Sequence, residues 1–238
     1  MLTSRANEKI KFLKKLQLKK YREKEQKFLI YGQHLIEEAL KKDIVIEIFE
    51  TPSQQLYPKS TLISESLIEY LSETKSPSKC LALCDKSKLK NQRSNKIVAL
   101  NNLQDPGNVG TIIRLAKSFD FDTVIVENLD VYSDKVIRSS QGAIFDVNVI
   151  TTNNLYQYLI SIKNNFFIYT TALNNKAVSL NNVNFREKNI IIVFGNEGQG
   201  TSNEILKLSN HNIYIPISFE SLNVATAAAI IMNKVRNG

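Results

Sequence analysis

Hydrophobic and polar positions along this chain follow two periods. The runs "KFLIYG", "IVIEIFE" and "CLALC" are apolar throughout or at every second residue, whereas "QHLIEEALKK" and "ISESLIEYLSE" place apolar residues every three or four positions. The first pattern predicts strands and the second helices, so residues 1–90 read as a small α/β unit. A polar, basic segment almost free of apolar residues follows at Lys86–Lys96, and the linker is placed within it at residues 91–95. A second series occupies residues 96–238. Its strand candidates are "KIVALNNL", "DTVIVEN", "FFIYTTA", "NIIIVFG" and "NIYIPIS", with helices expected at Thr111–Phe119, Asp134–Gln141, Asn154–Ile162, Ser202–Leu208 and Ser221–Val235. Apolar strands alternating with helices predict a parallel sheet covered on both faces.

Composition narrows the class. With 238 residues, 43% of them hydrophobic, the chain can fill a core. Its longest largely apolar run, Val224–Met232, is well short of the ~20 residues that span a membrane. No charged-then-apolar leader opens the chain, and the expected location is the cytoplasm. Cys80 and Cys84 are the only cysteines, and strand alternation points both the same way, into a core as free thiols. His34 and His211 are the only histidines, so no metal site and no histidine-based triad is expected.

Charge is unevenly placed. The formal net charge is +8, and residues 1–27, with ten Lys or Arg against three Glu, carry nearly all of the excess. There Lys9, Lys11, Lys14, Lys15, Lys19, Lys20, Arg22, Lys24 and Lys27 interleave with Ile10, Leu13, Leu16 and Tyr21, as on an amphipathic helix with a basic polar face. Such a face attracts phosphate backbones, although a solvated helix surface would carry the same charges.

In parallel sheets ligands gather beyond the carboxyl ends of the strands, so the loops after strands carry the functional signal. The first, "QDPGNVGTIIR", places Asn108 near a helix N-terminus and leaves Arg114 off the buried stripe of Ile112, Leu115, Ala116 and Phe119. Its glycines form neither a dinucleotide fingerprint nor a nucleotidase phosphate loop. In the second, "FGNEGQG", Gly195, Asn196, Glu197, Gly198 and Gly200 follow a wholly apolar strand, which implies close backbone approach beside one carboxylate. The third runs from "IYIPIS" through Ser221, Leu222 and Asn223 into an alanine-rich helix, where Ser221 would serve as an ordinary cap.

In this order and spacing the three loops resemble the three motifs of the SpoU/TrmH family of S-adenosylmethionine-dependent RNA ribose methyltransferases, within the SPOUT superfamily. The likeness covers roughly residues 96–238. The preceding residues, with "LTSRANEKIKFLKKL" and "YREKEQKFLIYGQHLIEEAL", are similar to the ribosomal-protein-like substrate-binding domain that many of these enzymes carry, most of all in the ribosomal-RNA branch. The resemblance implies an α/β fold whose C-terminal segment forms a deep trefoil knot, a homodimer, and RNA as partner. It also implies that Gly195, Ile215 and Leu222 hold S-adenosylmethionine with Asn223 nearby, and that Asn108, Arg114, Glu197, Ser221 and Asn223 form the catalytic side.

The chemistry so implied is methyl transfer to a ribose 2′-hydroxyl, which asks mainly for alignment and the management of one proton. An arginine stays protonated in nearly every protein, so Arg114 is better read as a donor to the developing alkoxide or the adjacent phosphate than as a base. Glu197 is expected either to orient Arg114 or to sense the cofactor. Between "IPI" and "SLN" only Ser218, Phe219 and Glu220 remain, shorter than in many family members, and Phe219 reads as an adenine cover or as core. The target expected is large-subunit ribosomal RNA. Transfer RNA, base methylation and a catalytically silent assembly protein are the alternatives.

Overall fold

A computed structural model describes residues 1–74, 76–89 and 94–238, so residues 91–93 of the expected linker lie outside the described residues. The chain forms two compact units, Met1–Lys90 with Tyr132–Phe145, and Asn91–Val131 with Asp146–Gly238.

The first unit opens with α1 (Glu8–Lys15) and α2 (Lys19–Glu25), two short helices where the pattern predicts one. Asn7 caps α1 by accepting from the Lys9 amide. Ile10, Leu13 and Leu16 join Leu29, Phe49, Ile68 and Leu81 in the unit's core. Thus the apolar stripe of the basic segment is structural. Arg22 is a correction to the expected basic face: it is buried, and its Nη1 donates to the Leu16 carbonyl at 2.6 Å. Lys9 pairs with Glu47, and Lys14 bonds the Tyr70 carbonyl and lies over the Tyr70 ring.

Four strands follow, β1 (Lys27–Tyr31), β2 (Val45–Glu50), β3 (Thr61–Leu62) and β4 (Cys80–Asp85), with α3 (Gln33–Leu40) after β1 and α4 (Glu65–Leu71) after β3. Their sheet order is β1-β4-β2-β3, antiparallel except for the β2–β3 pair. Because β4 is interior, every residue from Cys80 to Cys84 is buried, as a continuous apolar run requires. Both thiols are free, and burial pushes both up from the ordinary cysteine range.

The second unit is built on β5 (Lys96–Leu100), α5 (Pro106–Ser118) and β6 (Thr123–Glu127). Next comes α6 (Asp134–Ser140), which belongs to the first unit, and then β7 (Asn148–Thr152) and α7 (Leu155–Ile162). The chain ends with β8 (Phe167–Thr171), β9 (Val178–Ser179), β10 (Ile190–Phe194), α8 (Asn203–Leu208), β11 (His211–Tyr214) and α9 (Val224–Asn237). All seven strands are parallel, in the order β7-β6-β5-β10-β8-β11-β9. The five residues of β6 and of β10 are fully buried, so the sheet centre is covered on both faces as expected. The pattern gives no sign of β7: it is an edge strand, and its "NVITT" is half polar. Among the described residues no helix is long and apolar enough to cross a membrane.

The buried thiols give a simple check. In the native protein neither Cys80 nor Cys84 should react with a polar thiol reagent at pH 8 within an hour, and both should react after denaturation; rapid titration of either in the folded state would contradict the interior placement of β4.

Candidate active site

Two directions of winding meet in the seven-stranded sheet. From β5 the chain steps outward through β6 and β7, whereas β10 lies on the other side of β5. A reversal of this kind opens a crevice beyond the carboxyl ends of the two strands. The loops that leave β5 and β10 are the first two that the sequence singles out.

After β5 the chain enters α5 earlier than its pattern predicts. Asp105 caps the helix by accepting from the Gly107 amide, and Pro106 takes the first turn, where no donor is missed. Gly107 and Gly110 therefore lie within the helix, and Asn108 sits in its first turn. Its side-chain amide joins all three loops. Asn108 Nδ2 donates to Glu197 Oε1 at 3.0 Å, while Asn108 Oδ1 accepts from Asn223 Nδ2 at 3.0 Å. Asn223 in turn caps α9, accepting from the Ala225 and Thr226 amides at 2.9 and 3.3 Å. The polarity of this relay is fixed at both ends. Helix N–H groups demand the oxygen of Asn223, so its nitrogen faces Asn108, and a carboxylate can only accept, so the nitrogen of Asn108 faces Glu197.

This geometry decides what the sequence leaves open. Glu197 holds Asn108 and, at 3.4 Å, the backbone amide of Gln104; it does not orient Arg114. The cap of α9 is Asn223 and not Ser221, and the helix begins at Val224. Ser221 is exposed, and among the described residues its hydroxyl has no hydrogen-bond partner. Arg114 is also exposed, six residues and about 9 Å along α5 from Asn108. Its guanidinium makes no ion pair or hydrogen bond among the described residues, so its donors are available to a ligand.

Gly195 is where a glycine is obligatory. A Cβ there would lie 2.3 Å from the Gly200 carbonyl carbon and 2.3 Å from the Thr201 nitrogen. The loop closes on itself through paired backbone bonds between Asn196 and Gly200, at 2.9 and 3.0 Å. Asn196, which the sequence shows only as part of a glycine-rich turn, stiffens it further. Its Oδ1 accepts from the Gly198 and Gln199 amides, and its Nδ2 donates to the Asn102 carbonyl at 2.8 Å.

Gly195 follows β10 and Ile215 follows β11, so the two flank the end of β8. Beyond Ile215 the chain runs irregularly to Asn223, and among the described residues the backbone groups of Ile215–Leu222 make no backbone hydrogen bond. Ile217, Phe219 and Leu222 are exposed on this segment, Phe219 at 78%, which removes the reading of Phe219 as core. A stretch with free backbone donors and acceptors beside exposed apolar side chains suits a nucleoside-bearing ligand. Among the described residues no hydrogen bond ties the side chain of Ser221, Leu222 or Arg114 to the relay, so their part in the site rests on position along the chain.

Comparison with known proteins now fixes the class. The model of the SpoU rRNA methylase family matches residues 95–233, and that of the MRM3-like substrate-binding domain matches residues 7–82. The chain belongs to the SpoU rRNA methylase family. Over 99% of its length and 98% of the relative's it is 34% identical to the 23S rRNA (guanosine(2553)-2′-O)-methyltransferase RlmP of Bacillus subtilis. A crystal structure of an RNA 2′-O ribose methyltransferase superposes with a TM-score of 0.82 at 28% identity, covering 98% of this chain and 97% of that one. The AdoMet-bound rRNA methyltransferase of Sinorhizobium meliloti shares the fold, with a TM-score of 0.84 at 23% identity over 99% of this chain and 96% of the other.

The relay predicts a separation of stability from activity. Asn223→Asp keeps an oxygen to accept from both α9 amides and should leave stability within about 0.5 kcal/mol, whereas Asn223→Ala should lose about 1 kcal/mol. Both remove the donor to Asn108. Methyl-transfer activity should therefore fall at least tenfold in both variants, and full activity in Asn223→Asp would show that the relay is not needed.

Proposed function

We propose that this protein transfers the methyl group of S-adenosylmethionine to a ribose 2′-hydroxyl of large-subunit ribosomal RNA. The observation that carries the reading is the Glu197–Asn108–Asn223 relay, which ties three separate loops together at the sheet's switch point beside an arginine whose guanidinium is left available. Membership in the SpoU rRNA methylase family and the 34% identity with a 23S rRNA ribose methyltransferase support the substrate.

In this reading the backbone at Gly195, Ile215 and Leu222 holds the cofactor, with Asn223 nearby and Phe219 available to cover it. The cofactor supplies a methyl group already activated by its sulfonium. Asn108 and Asn223 position the reacting groups, and Glu197 holds Asn108 in the orientation that does so. Arg114 donates its planar fork to the developing 2′-alkoxide or to the neighbouring RNA phosphate, which takes the proton. Ser221 lies on the same side as a further polar contact. Placing β11, the last strand, between β8 and the earlier β9 supports the expected trefoil knot. Exposed Ile217, Leu222 and Ile230 supply an apolar surface for the expected homodimer. A ribosomal-RNA substrate is consistent with the cytoplasmic location expected from the sequence.

The test is transfer of labelled methyl to RNA from cells lacking the gene, followed by nucleoside analysis. Label in a 2′-O-methylnucleoside of 23S rRNA is expected, falling ~10²–10³-fold in Arg114→Ala. Arg114→Lys should lose most of the turnover as well, since a point ammonium cannot reproduce the fork. Label confined to transfer RNA or to a base would overturn the assignment.

The first unit contributes RNA affinity through cations that make no ion pair among the described residues. Lys15 and Lys20 lie over the Tyr21 ring and, like Lys24, are exposed on α1 and α2. Deleting residues 1–27 would remove Ile10, Leu13 and Leu16 from the core, so charge removal is the cleaner experiment. The triple variant Lys15→Gln/Lys20→Gln/Lys24→Gln should keep its fold and lower the slope of log affinity against log salt by ~1–3, near one per phosphate contact. An unchanged slope would place the RNA elsewhere.

A further inference from the structure

The loop that carries Gly195 and Glu197 is itself held from behind, by two buried polar residues. Asn101, 5% exposed, directly follows β5. Its backbone amide donates to the Phe194 carbonyl at 2.9 Å, just before the loop, and its Oδ1 accepts from the Ser202 amide at 3.0 Å, just after it. One residue thus holds both ends of the Gly195–Thr201 loop. The other polar atom of its side chain, Nδ2, donates to Glu127 Oε2 at 2.6 Å. Glu127 is 7% exposed at the end of β6, and its Oε1 accepts from the Leu155 amide at 2.8 Å, in the first turn of α7.

We infer that Glu127 and Asn101 form a positioning pair that sets the pose of the 195–201 loop, and with it Glu197 and the cofactor contact at Gly195. The inference rests on the reading of this loop as part of the methyl-transfer site. Its physical basis is matching of donors and acceptors in a place where water does not reach. Glu127 can only accept and meets two donors; Asn101 must present its nitrogen to Glu127 and its oxygen to Ser202. Rotating the Asn101 amide would set its oxygen against the carboxylate and its nitrogen against the Ser202 N–H. That would leave buried polar groups unsatisfied at both contacts, so the loop end is locked. A buried carboxylate with two full-strength hydrogen bonds is a costly way merely to start α7, which already has Asn154 as its cap, bonding the Gln157 amide at 2.9 Å.

Because the polarity of the pair is fixed, it can be broken and then restored by substitution. Glu127→Gln keeps the acceptor for Leu155 but turns a nitrogen toward the Asn101 nitrogen. Asn101→Asp keeps the acceptor for Ser202 but brings two carboxylates together. Combined, the two changes restore every bond. The new amide nitrogen at position 127 donates to one oxygen of the new carboxylate at position 101, whose other oxygen takes the Ser202 N–H, and the charge has passed from one partner to the other. The variants are to be compared by S-adenosylmethionine titration, by kcat and KM for RNA, and by amide hydrogen exchange of the loop without cofactor. Each single change should weaken cofactor binding at least tenfold and speed exchange at Gly198 and Gln199 at least tenfold. The double variant should return both within about threefold of wild type. Equal cofactor affinity and loop exchange in all four proteins would overturn the inference, as would a double variant no better than the worse single one. The exchange measurement separates this inference from the proposed function: a wild-type protein that binds no S-adenosylmethionine would sink the function, while the pattern of exchange would still decide the pair.

Discussion

Asn108 meets an acceptor on one side and a donor on the other, and the candidate site takes its form from that arrangement. The acceptor is Glu197 from the loop after β10; the donor is Asn223, whose own oxygen is committed to the N-terminus of α9. A side-chain amide between two such partners has one orientation that satisfies both and one that satisfies neither. The three loops are far apart along the chain and share no regular secondary structure. Their mutual placement depends on this relay and on the strand order that brings β5 and β10 side by side.

The close turn at Gly195 complements the relay. With no room for a Cβ, the backbone of the β10 loop doubles back at once, and Glu197 comes to lie against the first turn of α5. A similar device appears behind the loop, where Asn101 bonds both its ends. Side-chain amides at strand ends hold this molecule's loops, while the apolar sheet interior provides a fixed base from which they project.

Much of this was legible in the sequence. The wholly apolar "IIIVF" and the apolar centre of "TVIVE" declare interior parallel strands, and the three loops declare themselves through glycine, asparagine and one carboxylate beside apolar runs. What could not be read was pairing. Nothing in the spacing says that Glu197 meets Asn108 rather than Arg114, because that depends on which strands are neighbours. Asn101 and Glu127 carry no local signal at all, since a polar residue at the end of a strand is ordinary until its burial is known. In the first unit the pattern "KIKFLKKLQLKKYREK" shows its amphipathic character plainly. That its apolar stripe completes a core follows only from the packing of α1 against α4, and that Arg22 turns inward only from its bond to the Leu16 carbonyl.

We infer that the three loops form a single site with one ligand-binding geometry. A crystal structure of the protein soaked with S-adenosylhomocysteine tests it most directly. The adenosine is expected against the backbone at Gly195, Ile215 and Leu222, with the Glu197–Asn108–Asn223 relay intact and Arg114 facing the open side toward the RNA. A nucleoside bound elsewhere on the sheet, or a relay broken on binding, would contradict it.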